Sequence, residues 1–187
     1  MTVPVRSRRE NLREGLASIV VQCVLLVAFF WTPISRYHEV HYSAADLTQA
    51  MSLTRMEPGH RPGNQLQSDA VTQMQPWLLF NRQELAEGRF PLWNPLNAAG
   101  APHFANYQSA VLSPFSVPFY VLDFKLALLV SASLKLLVLG FFTYLFLREI
   151  GLGWIGATLG GIAFQFAGHN SLLLYFPHVG AMCALPA

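Results

Sequence analysis

A long apolar run near the N-terminus most constrains what this chain can fold into. Residues 16–34 read LASIVVQCVLLVAFFWTPI and are nearly free of strongly polar side chains apart from Gln22. About 19 residues is the length of helix that a hydrocarbon core of roughly 30 Å requires. The chain is 53% hydrophobic and 12% charged, whereas soluble domains are about 25% charged. The sequence therefore predicts an all-α membrane protein whose first spanning helix covers residues 16–34.

The residues before this run predict its orientation. Residues 1–15 carry four arginines, Arg6, Arg8, Arg9 and Arg13, and the positive-inside rule places such a segment in the cytoplasm. A cleaved signal peptide has a similar charged start and is the alternative. The apolar run is long for the core of a signal peptide, however, and no clear cleavage site follows it. We expect a multi-pass protein with a cytoplasmic N-terminus.

Further membrane segments are predicted towards the C-terminus. Residues 126–147 and 151–167 are long apolar runs, and glycines in the second run would let a neighbouring helix approach closely. Residues 109–124 are apolar but too short to span and are broken by Pro114 and Pro118, which favours a re-entrant or interfacial segment. The last run, 172–187, stops without a polar boundary. It predicts a truncated membrane segment of a longer polytopic protein, in which this chain packs against transmembrane helices that it lacks.

Residues 35–108 form a predicted extracytoplasmic loop between the first and second spanning helices. Their aromatic residues argue against disorder, so we expect the loop to be partly helical and to fold onto the membrane face. Pro76 and Gly88 predict a helix from residue 76 to about residue 87, because proline is favoured at the first helical position and glycine just beyond the end. Residues 45–55 are a weaker helix candidate.

Several functional classes lack support in the sequence. The net charge of +2 is small and the basic residues form no stripe, so nucleic acid is not an expected partner. No CxxC, HExxH, P-loop or GxGxxG pattern occurs. Both cysteines, Cys23 and Cys183, lie in apolar runs, where a thiol behaves as a small hydrophobic group.

Histidines also give little indication of a metal site. The stretch RYHEVHY places His38, Glu39 and His41 together, but no further ligand is evident in the sequence. We expect three isolated histidines, His103, His169 and His178, to be interfacial polar groups. No cofactor is indicated, and a divalent metal is left open.

Asp69 is the leading candidate for a catalytic residue. In a helix, Asp69, Gln73 and the Pro76-Trp77 pair would share one face, with a carboxylate beside an amide. Such a face could hold a sugar hydroxyl or a phosphate-bound metal. The structural alternative is that Asp69 only begins a helix, where an acid is favoured by capping and by the helix dipole.

Two other groups of residues are candidates for substrate binding. Residues 87–108 combine aromatic rings with amides, including Trp93, Asn94 and Gln108, and this combination suits sugars; an aromatic belt at the lipid headgroups is the alternative. Lys135 would lie near the membrane midplane, where an ionisable group is a functional hypothesis by default. It could meet a lipid phosphate or an acid on another helix, or it could extend its amine towards the surface.

The order of loop residues resembles that of a known family. Asp69, Gln73 and Pro76 are followed by the stretch PLWNP and then by a G-x-P pattern at Gly100. This resembles the first extracytoplasmic loop of YfhO-type bacterial membrane proteins, which are similar to GT-C glycosyltransferases. The resemblance covers residues 16–187, and the PLWNP portion is its most specific part.

The resemblance implies a function and a location. It implies transfer of a sugar from a polyprenyl-phosphate carrier to an envelope acceptor, on the outer face of the bacterial cytoplasmic membrane. Asp69 would be the general base, and Gln73, Trp93 and Asn94 would orient the sugar or the carrier phosphate. Many GT-C enzymes have paired acids soon after the first helix, whereas Asp69 stands alone here. The alternative is a non-enzymatic assembly or transport component whose outer loop binds glycan or a partner.

Overall fold

The computed structural model describes residues 8–39 and 68–177, together with Gly180 and Pro186. These residues are mostly helical, as predicted. They belong to two compact units: the first draws on Met1–Val40, Ala132–Leu174 and Val179–Ala187, and the second on His41–Ser131 and Tyr175–His178. The weaker helix candidate at residues 45–55 lies outside the described residues, as do His41, His178 and Cys183.

The first unit begins with helix α1, Arg8–Phe29, followed by the short helix α2, Trp31–Ser35. The sequence predicted one helix through residue 34, but the chain turns at Phe30. Pro33 gives the reason, because its ring would clash with the carbonyl of Phe29 four residues earlier and it has no N–H to donate. Residues 9–29 are long and apolar enough to cross a membrane, and most of this stretch is not buried within the protein.

The second unit contains most of the described part of the predicted loop. A π-helical turn, Ala70–Met74, leads into helix α3, Gln75–Ala86. Two short strands follow, β1 (Trp93–Asn94) and β2 (Ala101–Pro102), which pair antiparallel. Two 3-10 turns, Tyr107–Ser109 and Pro114–Ser116, precede the short helix α4, Val117–Val121. The break that the prolines predict within residues 109–124 is therefore present in the backbone, and its position in a membrane stays a prediction.

Helix α3 begins and ends within one residue of the prediction. Gly88 has φ +72°, as expected of a glycine just beyond a helix. Pro76 lies in the first turn of α3, and helical backbone also precedes α3, because Asp69 already has helical angles. The π-turn ends at Met74, two residues before the proline, and the Gln75 N–H donates to the Ala70 carbonyl five residues back. Such a local widening is a recognised way for a helix to adjust around a disruption.

Helix α5, Phe124–Glu149, is the longest element and contributes residues to both units. It covers the predicted spanning segment 126–147 and is the second helix long and apolar enough to cross a membrane. Its first turns pack in the second unit, where Ala127 and Leu128 join Leu78 and Phe119 in a buried cluster. This cluster ties α3 and α4 to the start of α5.

The described part of the first unit also contains α6, Trp154–Gln165, and α7, Gly168–Leu172. The predicted third spanning segment, 151–167, therefore holds a helix of 12 residues, which rises about 18 Å. It is shorter than a hydrocarbon core of about 30 Å. Gly151, with φ +93°, lies between α5 and α6 and allows the chain to turn.

Candidate functional site

The structure brings Asp69 and Gln73 together. Gln73 Nε2 donates a hydrogen bond of 3.0 Å to Asp69 Oδ1 at an exposed position. Asp69 has φ −60° and ψ −29°, and its side chain makes no capping hydrogen bond. An N-cap residue instead has non-helical angles and accepts from a backbone N–H. The geometry therefore favours the paired carboxylate and amide over the capping role.

Asp69 also stands next to an anchored part of the helix. The following residue, Ala70, is fully buried and packs with Val71 and Tyr175. Thr72 Oγ1 donates to the Ser68 carbonyl at 3.0 Å. The backbone that carries Asp69 is thus held from its buried side while the carboxylate faces outwards. Trp77, predicted to share this face, is half-buried.

Trp93 lies in the hairpin formed by β1 and β2. It pairs with Pro102 across the strands, and its indole ring covers Gly100. A Cβ atom at Gly100 would lie 2.7 Å from Trp93 Nε1, and Gly100 has φ +99°. Glycine is therefore required there both by the ring and by the backbone. Trp93 nevertheless stays 55% exposed, so one part of its ring remains accessible.

Asn94 and Gln108 each take part in a local hydrogen-bonded turn. Asn94 is buried, and its Oδ1 accepts the Leu96 N–H at 2.9 Å, which forms a side-chain turn. Gln108 lies in a 3-10 turn, where its backbone N–H donates to Asn106 Oδ1 at 3.2 Å. The Gln108 side chain is exposed. Between residues 68 and 177, no hydrogen bond joins Asp69 or Gln73 to Trp93, Asn94 or Gln108.

A buried polar network holds the residues after the hairpin, and sequence reasoning missed it. Asn81 Nδ2 donates to the Ser109 carbonyl at 2.7 Å, and Asn81 Oδ1 pairs with His103 Nε2 at 2.7 Å. Ser109 Oγ lies within 2.8 Å of the His103 carbonyl. All three residues are almost fully buried. His103 is thus an internal structural group, not the interfacial group that the sequence predicted.

The surroundings of this network shift the pKa values of His103 and of the acid nearby, Glu84. Burial lowers the pKa of His103, and the Glu84 carboxylate partly opposes that shift. The hydrogen bond from Arg89 lowers the pKa of Glu84. Arg89 bonds Glu84 at 2.6 Å and also pairs with Glu87, and these bonds raise its own pKa. His103 is consequently neutral at neutral pH, and the end of α3 is held by an ion-pair cluster.

Lys135 is buried in the first unit. The residue is only 7% exposed, and its Nζ donates a hydrogen bond of 2.8 Å to the Leu174 carbonyl. The amine is therefore directed into the unit and does not extend to a surface. A role for Lys135 in binding a carrier phosphate stays a prediction.

A second polar group in the first unit was also missed. Gln22 on α1 and Gln165 on α6 are fully buried. Their Oε1 atoms lie 2.8 and 2.6 Å from the position that a Cβ atom of Gly140 would occupy. Gln22 Nε2 donates to Ser18 Oγ at 3.2 Å. The isolated Gln22 within the first apolar run was the available signal, but the sequence does not indicate its neighbours.

The structure gives little basis for a metal site among the residues that it describes. Glu39 is an ion-pair partner of Arg36, with 2.6 Å between Oε2 and Nη2. Within residues 8–39 and 68–177, no three His, Cys, Asp or Glu side chains gather as a metal site would require. Cys23 is a free thiol.

Comparison of the whole chain with protein-family models, curated proteins and solved structures finds no match.

Proposed function

We propose that the chain is part of a multi-pass membrane glycosyltransferase of the GT-C-like kind, with Asp69 as its general base. The hydrogen-bonded Asp69–Gln73 pair is the observation that carries the proposal. It presents an exposed carboxylate on a helix that is anchored by buried neighbours. The loop resemblance supplies the reaction class, a sugar transfer from a polyprenyl-phosphate donor.

The membrane part of the proposal depends on the two long apolar helices. Residues 9–29 and Phe124–Glu149 each have the length and composition to cross a bilayer. Asp69 and the hairpin lie between these helices in the sequence. If both helices span, the residues between them in the sequence lie on the side to which α1 leads. The four arginines among residues 1–15 indicate that this side is the outer face of the cytoplasmic membrane.

The proposed chemistry asks for one well-placed carboxylate. Asp69 would accept the proton of an acceptor hydroxyl while the hydroxyl oxygen forms a bond to the anomeric carbon. The bond between that carbon and the carrier phosphate breaks, and the phosphate leaves with the electron pair. A phosphate leaving group needs no protonation, so a second acid is not required. Gln73 would hold the carboxylate in one rotamer through its amide hydrogen bond.

The predicted binding residues differ in how accessible their side chains are to a substrate. Trp93 has an accessible ring that can stack on a sugar face. The side-chain oxygen of Asn94 already accepts a backbone hydrogen bond in a turn. Asn94 would therefore contribute by holding Trp93 in position. Gln108 offers an exposed amide, and Lys135 would act only if a carrier phosphate reaches its buried amine.

A second candidate function is non-enzymatic binding of glycan by an assembly or transport component. Tyr107 is 95% exposed, and with Trp93 it provides accessible aromatic surface. The neighbouring amides Asn94 and Asn106 both accept backbone N–H groups. The side-chain oxygens of these two amides are thus already used in turns, and the accessible surface is mainly aromatic. Such a surface suits glycan binding at least as well as catalysis.

The deciding experiment compares wild type with Asp69→Asn in membranes that contain the full gene product and labelled polyprenyl-linked sugars. Asparagine keeps an acceptor oxygen for Gln73 but cannot take a proton. The matched control is Glu87→Gln, an exposed acid at the end of α3. Transfer that is lost in Asp69→Asn and kept in Glu87→Gln supports the proposal. Equal transfer in all three proteins contradicts the role of Asp69, and glycan binding without transfer favours the second candidate.

A further inference from the structure

A long segment of the second unit contains no charged residue. Residues 90–122 include no Asp, Glu, Lys or Arg, while Arg89 and Asp123 stand at its two ends. Soluble domains are about one quarter charged, so a stretch of this length would ordinarily hold roughly eight charged residues. The segment is not a spanning helix, because it consists of the hairpin, two 3-10 turns and α4.

Large apolar side chains on this segment are exposed. Leu96, near the tip of the hairpin, is 79% exposed and Leu112 is 72% exposed. Phe90, Leu92, Trp93 and Tyr107 are also exposed. We refer to these six residues as the apolar rim. Six large exposed side chains within one charge-free segment indicate an interaction surface, so its occupant has to be identified.

Several polar groups of this segment are hydrogen-bonded within the second unit. Ser116 Oγ donates to the Ala110 carbonyl at 2.8 Å, and Tyr120 OH donates to the Val111 carbonyl at 2.7 Å. Asn94 Oδ1 accepts a backbone N–H in the hairpin. The segment's histidine, His103, is buried and bonded to Asn81. A segment that enters a region of low polarity has to pair its backbone groups in this way.

We propose that the apolar rim lies in the outer headgroup and acyl boundary of the bilayer that α5 enters. Only Asp123 separates the charge-free segment from α5, which begins at Phe124 and is able to span. The segment thus ends where a membrane boundary is expected. Tryptophan and tyrosine are enriched at that depth, and both occur in the rim. A soluble partner would not explain why charges are missing from residues 90–122 on buried and exposed positions alike.

The proposal rests on the membrane location given above and not on glycosyl transfer. Of the two positions that the sequence predicted for residues 109–124, re-entrant or interfacial, it takes the interfacial one and extends it back to the hairpin. The rim would hold the loop against the bilayer surface at a depth of about 5–10 Å, as interfacial apolar faces are held. The occupant is lipid, without selection for a particular headgroup.

Spin labelling tests the proposal with the full chain in phosphatidylcholine and phosphatidylglycerol vesicles. Single cysteines replace Leu96 or Leu112 in a background of Cys23→Ala and Cys183→Ala. Gln83→Cys on α3 is the exposed aqueous control, and Leu134→Cys on α5 is the hydrocarbon control. Collision with oxygen reports lipid, and collision with a water-soluble nickel chelate reports water. We expect labels at Leu96 and Leu112 to collide several-fold more with oxygen relative to nickel than the label at Gln83.

The other outcomes are separable. A label at Leu134 in hydrocarbon with labels at Leu96 and Leu112 in water would overturn the rim proposal and leave the membrane location intact. Labels at all of these positions in water would overturn both. Labels at the rim that are shielded from both reagents would show protein cover, such as a second copy, and would also overturn the assignment to lipid.

Discussion

Asn81 and His103 lie far apart in the sequence and share a buried hydrogen bond of 2.7 Å. Asn81 Nδ2 already donates to the Ser109 carbonyl, so Asn81 Oδ1 is the acceptor and His103 Nε2 carries the proton. Protonation of the ring would place a second N–H and a charge in a buried position. The Nε2–H donor to Asn81 is present in both forms of the ring, so burial of the charge, not loss of this hydrogen bond, disfavours protonation of His103.

The first prediction concerns the pH dependence of stability. Burial lowers the pKa of folded His103, whereas the unfolded chain takes up its proton near pH 6.5. Stability should therefore fall as the pH is lowered through about 6.5, because the unfolded state binds more protons there. The lowered pKa of Glu84 acts at more acidic pH. Thermal unfolding in detergent between pH 7.5 and 5.5 measures the effect. His103→Gln should be less stable at neutral pH but lose less between the two pH values; an unchanged pH slope would contradict the prediction.

A second prediction concerns the crossing of α5 and α6. A Cβ atom at Gly161 would lie 2.7 Å from the backbone oxygen of Gly140, which cannot move aside as a side chain can. Gly161→Ala should destabilise the protein by about 1–3 kcal/mol, as overpacking does. At Gly156, on the same helix, the nearest atom would be 3.8 Å away. Gly156→Ala should therefore be neutral or stabilise by up to about 1 kcal/mol through helix propensity.

Unfolding midpoints of the two alanine variants provide the measurement. A change of 1 kcal/mol shifts the midpoint by about 2–4 °C in a protein of this size. Equal midpoints for the two variants would show that α5 and α6 do not approach each other as closely as the Gly140–Gly161 geometry requires.

A third prediction uses the two lysines of the sequence, Lys125 and Lys135. Lys125 is exposed, whereas Lys135 is 7% exposed and bonded to the Leu174 carbonyl. A water-soluble amine-reactive reagent should modify Lys125 in the folded protein and leave Lys135 unmodified. Peptide mass spectrometry locates the modification, and unfolding in denaturant should make both lysines reactive. Rapid modification of Lys135 in the folded chain would rule out the buried position.

The fourth prediction concerns the junction of α1 with the end of α5. Arg148 Nη2 lies 2.6 Å from Glu14 Oε2, and both side chains are partly buried. Trp154 Nε1 also donates to the Glu14 carbonyl at 2.9 Å. Glu14→Gln should cost about 1 kcal/mol, because it leaves a charge-assisted hydrogen bond incomplete. Glu149→Gln, at the neighbouring exposed position, should change stability by less than about 0.5 kcal/mol.

A double-mutant cycle isolates the ion pair. Glu14→Gln and Arg148→Gln are each compared with the double variant by thermal unfolding. We expect the combined loss to be smaller than the sum of the single losses, because each variant removes the same interaction. Strict additivity would mean that the two side chains do not interact in solution.

Local patterns predicted several elements because their causes lie within a few residues. The long apolar runs predicted where α1 and α5 form, and Gly88 predicted where α3 ends. The spacing of Asp69 and Gln73 predicted a shared helical face, which their hydrogen bond confirms. The same reasoning was wrong about the continuity of the first helix and did not predict the π-turn before α3, since the effects of Pro33 and Pro76 depend on how the preceding turn adjusts.

Composition alone predicts only part of the proposed interface. The absence of charge from residues 90–122 is visible in the sequence. Which of the apolar residues are exposed is not, because strands of two residues and 3-10 turns have no extended period from which to infer a buried face. Leu78 and Leu96 look alike in the sequence, yet one is buried in a cluster and the other projects outwards.

The helical class, the two apolar helices and the helical pairing of Asp69 with Gln73 could be predicted from the sequence, because each depends on lengths and spacings along one stretch of chain. Which polar groups are buried, and what they bind, could be read only from the folded protein. Lys135 meets the carbonyl of Leu174, and Asn81 meets the carbonyl of Ser109. Every residue carries a backbone carbonyl, so a side chain that binds one leaves no mark on the sequence. Those partners are set only when distant segments pack together and exclude water.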